Sequence, residues 1–167
     1  MHVQRHVFHS DLGKEGGGRL LAWCREHGAD SFSLSVIGSP PELETAAVAI
    51  EARLGHLSLA PAQIPTKPEG QPGSYWMRAT DRWSLNEHSL PLLLECFPQG
   101  LLTCYPSGDA WCEDPCLFRG AELMLGVISQ EGEGVLRIEA REQLALDQSD
   151  ITYRLKGKRI GYYLQAL

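Results

Sequence analysis

Hydrophobic and polar positions along this chain follow two rhythms, one of about two residues and one of about three to four, and the places where the rhythm changes mark the elements. His2 to His9 is short and β-branched enough for a strand, with an imperfect alternation. From Arg19 to His27 the apolar residues Leu20, Leu21, Trp23 and Cys24 recur at helical spacing, and Gly28 is a natural C-terminal stop. Ser31 to Ile37 alternates serine with Phe32, Leu34 and Val36, which predicts a second strand. Strand, loop, helix and strand in so few residues predict a crossover that pairs the two strands in parallel.

Ser39-Pro40-Pro41-Glu42 predicts a helix start: a serine cap, proline at the first helical position and an acid closing a capping box. Ala46, Ala47, Ala49, Ile50 and Leu54 carry that helix to Gly55, and His56 to Leu59 reads as a short strand. Four prolines between residues 60 and 73 make a loop, and Ser74 to Thr80 follows as a strand. Residues 81–86 read as a connection, and Ser89 to Phe97 as a short helix ended by Pro98 and Gly100. An irregular stretch bearing cysteine and proline precedes two strands, Leu117 to Ser129 and Gly134 to Glu142, joined as a hairpin by residues 130–133. The tail carries Ile151 to Leu155, a basic step from Lys156 to Gly161 and an apolar end. These elements predict one α+β domain over residues 1–167, with a mixed β-sheet flanked by helices.

Asp11 to Arg19 holds the first candidate chemistry. A glycine run between a strand and a helix leaves backbone N–H groups free at a helix N-terminus, where the helix dipole favours an anion such as phosphate. The net charge of −6 argues against a nucleic-acid binder, since the basic cluster is confined to Arg154 to Arg159. No apolar run of about 18 residues is present, and the His- and Arg-bearing N-terminus does not read as a signal peptide, so a cytoplasmic protein without membrane contact is expected. The five cysteines, Cys24, Cys96, Cys104, Cys112 and Cys116, include no Cys-x-x-Cys pair. Cys104, Cys112 and Cys116 could supply three zinc ligands, but no nearby histidine completes the set, and reduced structural thiols are the expectation. His6 and His9 fall on opposite faces of a strand, so a shared metal would need a bulge between them, and no metal is expected.

In the order of these elements, residues 1 to about 81 resemble the C-terminal half of the GNAT superfamily of acyl-CoA-dependent N-acyltransferases. Gly13-Lys14-Glu15-Gly16-Gly17-Gly18 falls on the family's pyrophosphate loop, [Gln/Arg]-x-x-Gly-x-[Gly/Ala], with Gly16 and Gly18 at its two small positions and Gly13 where Gln or Arg is usual. Arg53-Leu54-Gly55-His56 resembles the family's helix end, and Tyr75-Trp76-Met77-Arg78 its last strand. Glu51 stands where many relatives carry a tyrosine that protonates the departing thiolate. Residues 82–155 stand where the family's first half would have to be represented, and Lys156 to Gly161 makes a weak second copy of the loop with Arg159 at its middle position.

The resemblance implies an acyl-CoA N-acyltransferase-like fold and transfer of an acetyl or other acyl group to an amine on a small molecule or protein. It implies that backbone amides of Gly16, Gly17, Gly18 and Arg19 hold the pyrophosphate, and that the strand edge at Val7, Phe8 and His9 pairs with the pantetheine arm. A base for the amine remains open among His9, His6 and Glu51, with histidine better matched to neutral pH. A second reading is a non-catalytic acyltransferase-like or small acidic partner-binding protein, with Trp76, Trp83 and Trp111 as candidate contact residues and a second copy as one candidate partner. A third is metal-dependent hydrolysis through His6, His9 and Asp11.

Overall fold

The computed structural model describes residues 3–8, 13–38, 40–57, 76–79, 82–101, 110–151 and 153, of which 3–8, 40, 41, 56 and 76–79 are described by their backbone alone. Strand β1 (Val3–Phe8) leads to helix α1 (Lys14–Glu26), β2 (Ser31–Gly38) and α2 (Pro40–Leu54). After a 3₁₀ turn at Gly55–Leu57 come β3 (Trp76–Ala79), β4 (Trp83–Ser84) and α3 (Ser89–Glu95). The chain closes with β5 (Ala110–Arg119), β6 (Glu122–Ile128), a 3₁₀ turn at Ser129–Glu131, β7 (Glu133–Glu139) and α4 (Ala140–Asp147). The basic step from Lys156 to Gly161 and the apolar end lie outside the described residues.

The α+β class holds, and the sheet has seven strands in the order β1-β7-β6-β5-β2-β3, with β4 also on β2. Every pairing among the described residues is antiparallel, which corrects the expected mixed sheet. β1 and β2 do run in the same direction, but they are not neighbours, because β5, β6 and β7 lie between them. The physical reason is that the late meander carries its own apolar alternation. Leu117, Leu125 and Leu136 stand in register across β5, β6 and β7 and are fully buried, so the meander fills the middle of the sheet and β1 is left to pair with β7.

One core takes residues from all four helices and from one face of the sheet. Leu20, Leu21 and Cys24 of α1, Leu54 of α2, Leu93 of α3 and Leu146 of α4 pack there with Phe32, Leu34 and Val36 of β2. Burying a leucine such as Leu20 or Leu21 completely contributes about 1.5–3 kcal/mol before entropy is counted. The serines of β2 point to the other face, where Ser31, Ser33, Ser35 and, from β5, Glu113 are all buried.

β5 carries one extra residue opposite β2. Cys116 pairs with Ser33, but Glu113 pairs with Ser35, so three steps on β5 match two on β2. Asp114 takes up the slack in the left-handed region at φ 51. Its amide donates to Ser129 Oγ at 2.9 Å, and the Ser129 amide donates back to Asp114 Oδ1 at 2.8 Å, which holds the bulge to the end of β6.

Three further sequence expectations shift. His56 belongs to a 3₁₀ turn and not to a strand. The single strand expected over Leu117 to Ser129 is broken at Gly120, whose φ of +56 turns the chain from β5 into β6. The strand expected over Gly134 to Glu142 ends at Glu139, because Glu139 and Glu142 form a capping box that starts α4.

Candidate functional site

The glycine run begins a helix and does not precede one. α1 starts at Lys14, so Gly16, Gly17 and Gly18 lie in its first two turns, and the expected start at Arg19 is corrected. Gly13 is the N-cap, in extended backbone with no capping side chain. At Gly17 the reason for glycine is close packing. A Cβ on Gly17 would lie 2.9 Å from Leu101 Cγ, and one on Gly100, whose φ is +117, would lie 3.1 Å from the carbonyl carbon of Gly13 and the nitrogen of Lys14. The small residues allow α1 to settle against α3 and the turn that follows it.

The amides expected to hold a pyrophosphate are therefore placed along the helix. Gly17 N donates to Gly13 O at 2.8 Å, and by helix geometry Gly18 and Arg19 donate to the preceding turn. The four amides that a helix leaves without an internal partner here are those of Gly13, Lys14, Glu15 and Gly16. Glu15, which is exposed, sits in that first turn and complements the helix dipole itself. Arg19 is paired with it, Nη1 to Oε1 at 2.8 Å. An anionic ligand at this end would meet a carboxylate and a guanidinium already engaged.

Of the candidate acid–base residues, His6 and Glu51 stand far apart. His6 lies on β1 in register with Leu136, and Phe8 in register with Gly134. All six residues of β1 pair with β7, so no opening separates those two strands. Glu51 sits half-buried on α2, which packs on β2, β3 and β5. β1 and β2 are four strand spacings apart, about 19 Å at the usual 4.8 Å, so His6 and Glu51 belong to different ends of the sheet. His9 and Asp11 lie outside the described residues.

The cysteine reading also changes. Residues four apart on a regular strand share a face, but the bulge at Asp114 reverses the parity. Cys112 stands opposite Val36 on the helix-covered face, whereas Cys116 stands opposite Ser33 on the serine face. The zinc arrangement of Cys104, Cys112 and Cys116 is not available with Cys112 and Cys116 on opposite faces, and Cys104 is outside the described residues. Among the described residues no group of three or more His, Cys, Asp or Glu side chains is placed to hold a metal ion. No helix among them is long and apolar enough to cross a membrane.

No family model, curated protein or solved structure matches this chain.

Of the aromatic residues considered as contact points, Trp83 is core, tilted against Phe32 with ring centroids 5.6 Å apart. Trp111 is half-buried and donates from Nε1 to Glu113 Oε1 at 2.7 Å. Trp76 is placed only by its backbone.

Three side-chain groupings were not visible in the sequence, because each joins residues far apart in the chain. Arg82 is buried, donates from Nε to Ser31 Oγ at 2.8 Å and from Nη2 to Gly120 O, and lies 4.1 Å over the Phe118 ring. Burial lowers its pKa against the attraction of Asp30. Arg119 donates from Nη2 to His27 O at 2.6 Å and to Glu142 Oε1 at 2.7 Å, joining α1, β5 and α4. The third grouping is Cys96 with Cys112, half-buried residues that both pack against the main core, the Cys96 pKa lowered and the Cys112 pKa raised through their mutual interaction.

Proposed function

We propose that this chain is a small, non-catalytic, acidic partner-binding protein. The observation that carries the reading is the start of α1, where Gly17 packs closely against Leu101 and Glu15 and Arg19 pair with each other in the first two turns. The separation of His6 and Glu51 supports it, since general base and acid must both reach one substrate. The character of the partner follows from charge. All 21 acidic residues precede residue 151, whereas four of the 15 basic residues fall within residues 154–159. Glu15, Glu26, Glu44, Glu87, Glu95, Glu122 and Glu131 are exposed, so the body presents an acidic surface that steers a basic protein partner.

Acyl-CoA binding is the second reading, favoured by the absence of a capping side chain at Gly13, which leaves the first amides of α1 for an anion. One measurement separates the two. A ligand at one hundred times its dissociation constant stabilises a protein by about 2.7 kcal/mol. The melting temperature is expected to stay unchanged with saturating acetyl-CoA, and the tagged chain is expected to co-purify at fixed stoichiometry with a basic protein released by salt. A rise of several degrees with acetyl-CoA would transfer the conclusion to the second reading.

A further inference from the structure

We propose that β1 is a self-pairing edge, along which a second copy of this chain adds its own β1 to make one continuous sheet through both copies. The inference does not depend on the basic partner. β1 stands at one end of the strand order, and all six of its residues pair with β7 in unbroken register, from Val3 with Glu139 to Phe8 with Gly134. Among the described residues β7 is its one neighbour, so alternate N–H and C=O groups of β1 face away from the sheet. Exposed edges are ordinarily blunted by proline, lysine, a bulge or shortness. Val3 to Phe8 contain no proline or lysine, and their register on β7 has no bulge. The opposite end of the sheet is different: β3 covers only the last four residues of β2, and β4 pairs with the first two.

Symmetry and charge determine what fits this edge. Two copies of one strand that continue a sheet in antiparallel fashion are related by a twofold axis perpendicular to it, so each residue meets one of its own face and the axis passes through a residue position. Two registers overlap most of β1, one centred on Arg5 and one on His6. The first sets the two Arg5 residues directly opposite, a like-charge pair that destabilises an antiparallel ladder. The second sets Arg5 opposite Val7 and Gln4 opposite Phe8, with His6 at the axis, and histidine, unlike arginine, is largely neutral at pH 8. The register centred on His6 is therefore the one assigned. The same axis brings both α4 helices to one side of the joined sheet beside the seam, because α4 packs on β7 and β1. α4 carries Leu144, which is 63% exposed and one of two large hydrophobic side chains exposed among the described residues. A second copy supplies that leucine with a neighbouring helix, whereas an unrelated extended peptide would pair with β1 alone.

Salt separates this contact from the binding of a basic protein. Each copy carries a net charge of −6, so two copies repel one another through solvent, and salt screens that repulsion. Self-association along β1 therefore tightens as salt rises, whereas a basic partner steered by the acidic surface is released.

The test is analytical ultracentrifugation of the full chain at pH 8. A monomer–dimer equilibrium is expected, tightening by about threefold or more from low to high salt. Adjacent residues of an antiparallel strand turn their N–H groups to opposite sides, so of Gln4→Pro and Arg5→Pro one removes a bond to β7 and the other removes only an outward donor. The variant that keeps the wild-type circular dichroism is expected to be monomeric. Leu144→Glu is expected to weaken the dimer by about tenfold while the monomer stays folded. Mild oxidation of His6→Cys is expected to give a reducible dimer, joined between the two introduced thiols as located by peptide mass, with a yield about tenfold above that of Arg5→Cys. A chain that stays monomeric at about 100 μM, a dimer that persists in the folded proline variant, or a cross-link favoured in Arg5→Cys would overturn the proposal.

Discussion

Glu142→Ala is expected to destabilise the fold by about 3 kcal/mol, which for a domain of this size lowers the melting temperature by about 6–12 °C. The carboxylate performs two tasks. Its Oε1 accepts from Arg119 Nη2 at 2.7 Å, and its Oε2 accepts from the amide of Glu139 at 2.8 Å, completing the box that starts α4. Glu142 is 8% exposed, so alanine removes a buried acceptor and leaves the Arg119 charge, among the described residues, with the His27 carbonyl and the weak acceptor Met124 Sδ. Glu142→Gln keeps an acceptor for the cap and should lose less than the alanine variant. A urea midpoint for Glu142→Ala within error of wild type would mean that α1, β5 and α4 are not tied through this pair.

The second large effect is expected at Gly17. Valine there places a Cβ 2.9 Å from Leu101 Cγ and adds two methyl groups where α1 meets the turn after α3. Overpacking of this kind costs about 1–3 kcal/mol, and we expect the upper half of that range, because the Leu101 backbone nitrogen lies only 3.5 Å from the same point. Equilibrium denaturation of Gly17→Val measures it directly. A variant as stable as wild type would show that the glycine is not required for the approach of α1 to Leu101.

The elements that the sequence revealed are those whose signals are local. α2 begins at Pro40 and ends at Leu54, as the serine, the two prolines and Gly55 foretell, and β2 occupies the alternating stretch from Ser31. What stayed hidden depends on distant partners or on unusual local choices. Nothing near β1 or β2 reveals that β5, β6 and β7 will enter between them, and parallel pairing is the natural inference from a strand-helix-strand run. Glu139 hides a helix start because glutamate is not among the preferred cap residues. The bulge at Asp114 reverses the faces of Cys112 and Cys116, and no composition rule locates it. The glycine run was seen, but its place inside α1 was not, since packing of Gly17 against Leu101 and anion binding use the same residue type for the same reason, the absence of a side chain.

That distinction is open to one decisive measurement, the stability of Gly18→Ala with and without acetyl-CoA. Among the described residues a Cβ on Gly18 meets only the Leu94 methyl groups, at 3.7 and 4.0 Å, which is ordinary contact. In a helix, alanine in place of glycine is then expected to stabilise by about 0.5–1 kcal/mol, raising the melting temperature by about 1–4 °C, with acetyl-CoA shifting neither protein. A Gly18→Ala variant that melts no higher than wild type, and that loses a stabilisation acetyl-CoA confers on wild type, would contradict the account.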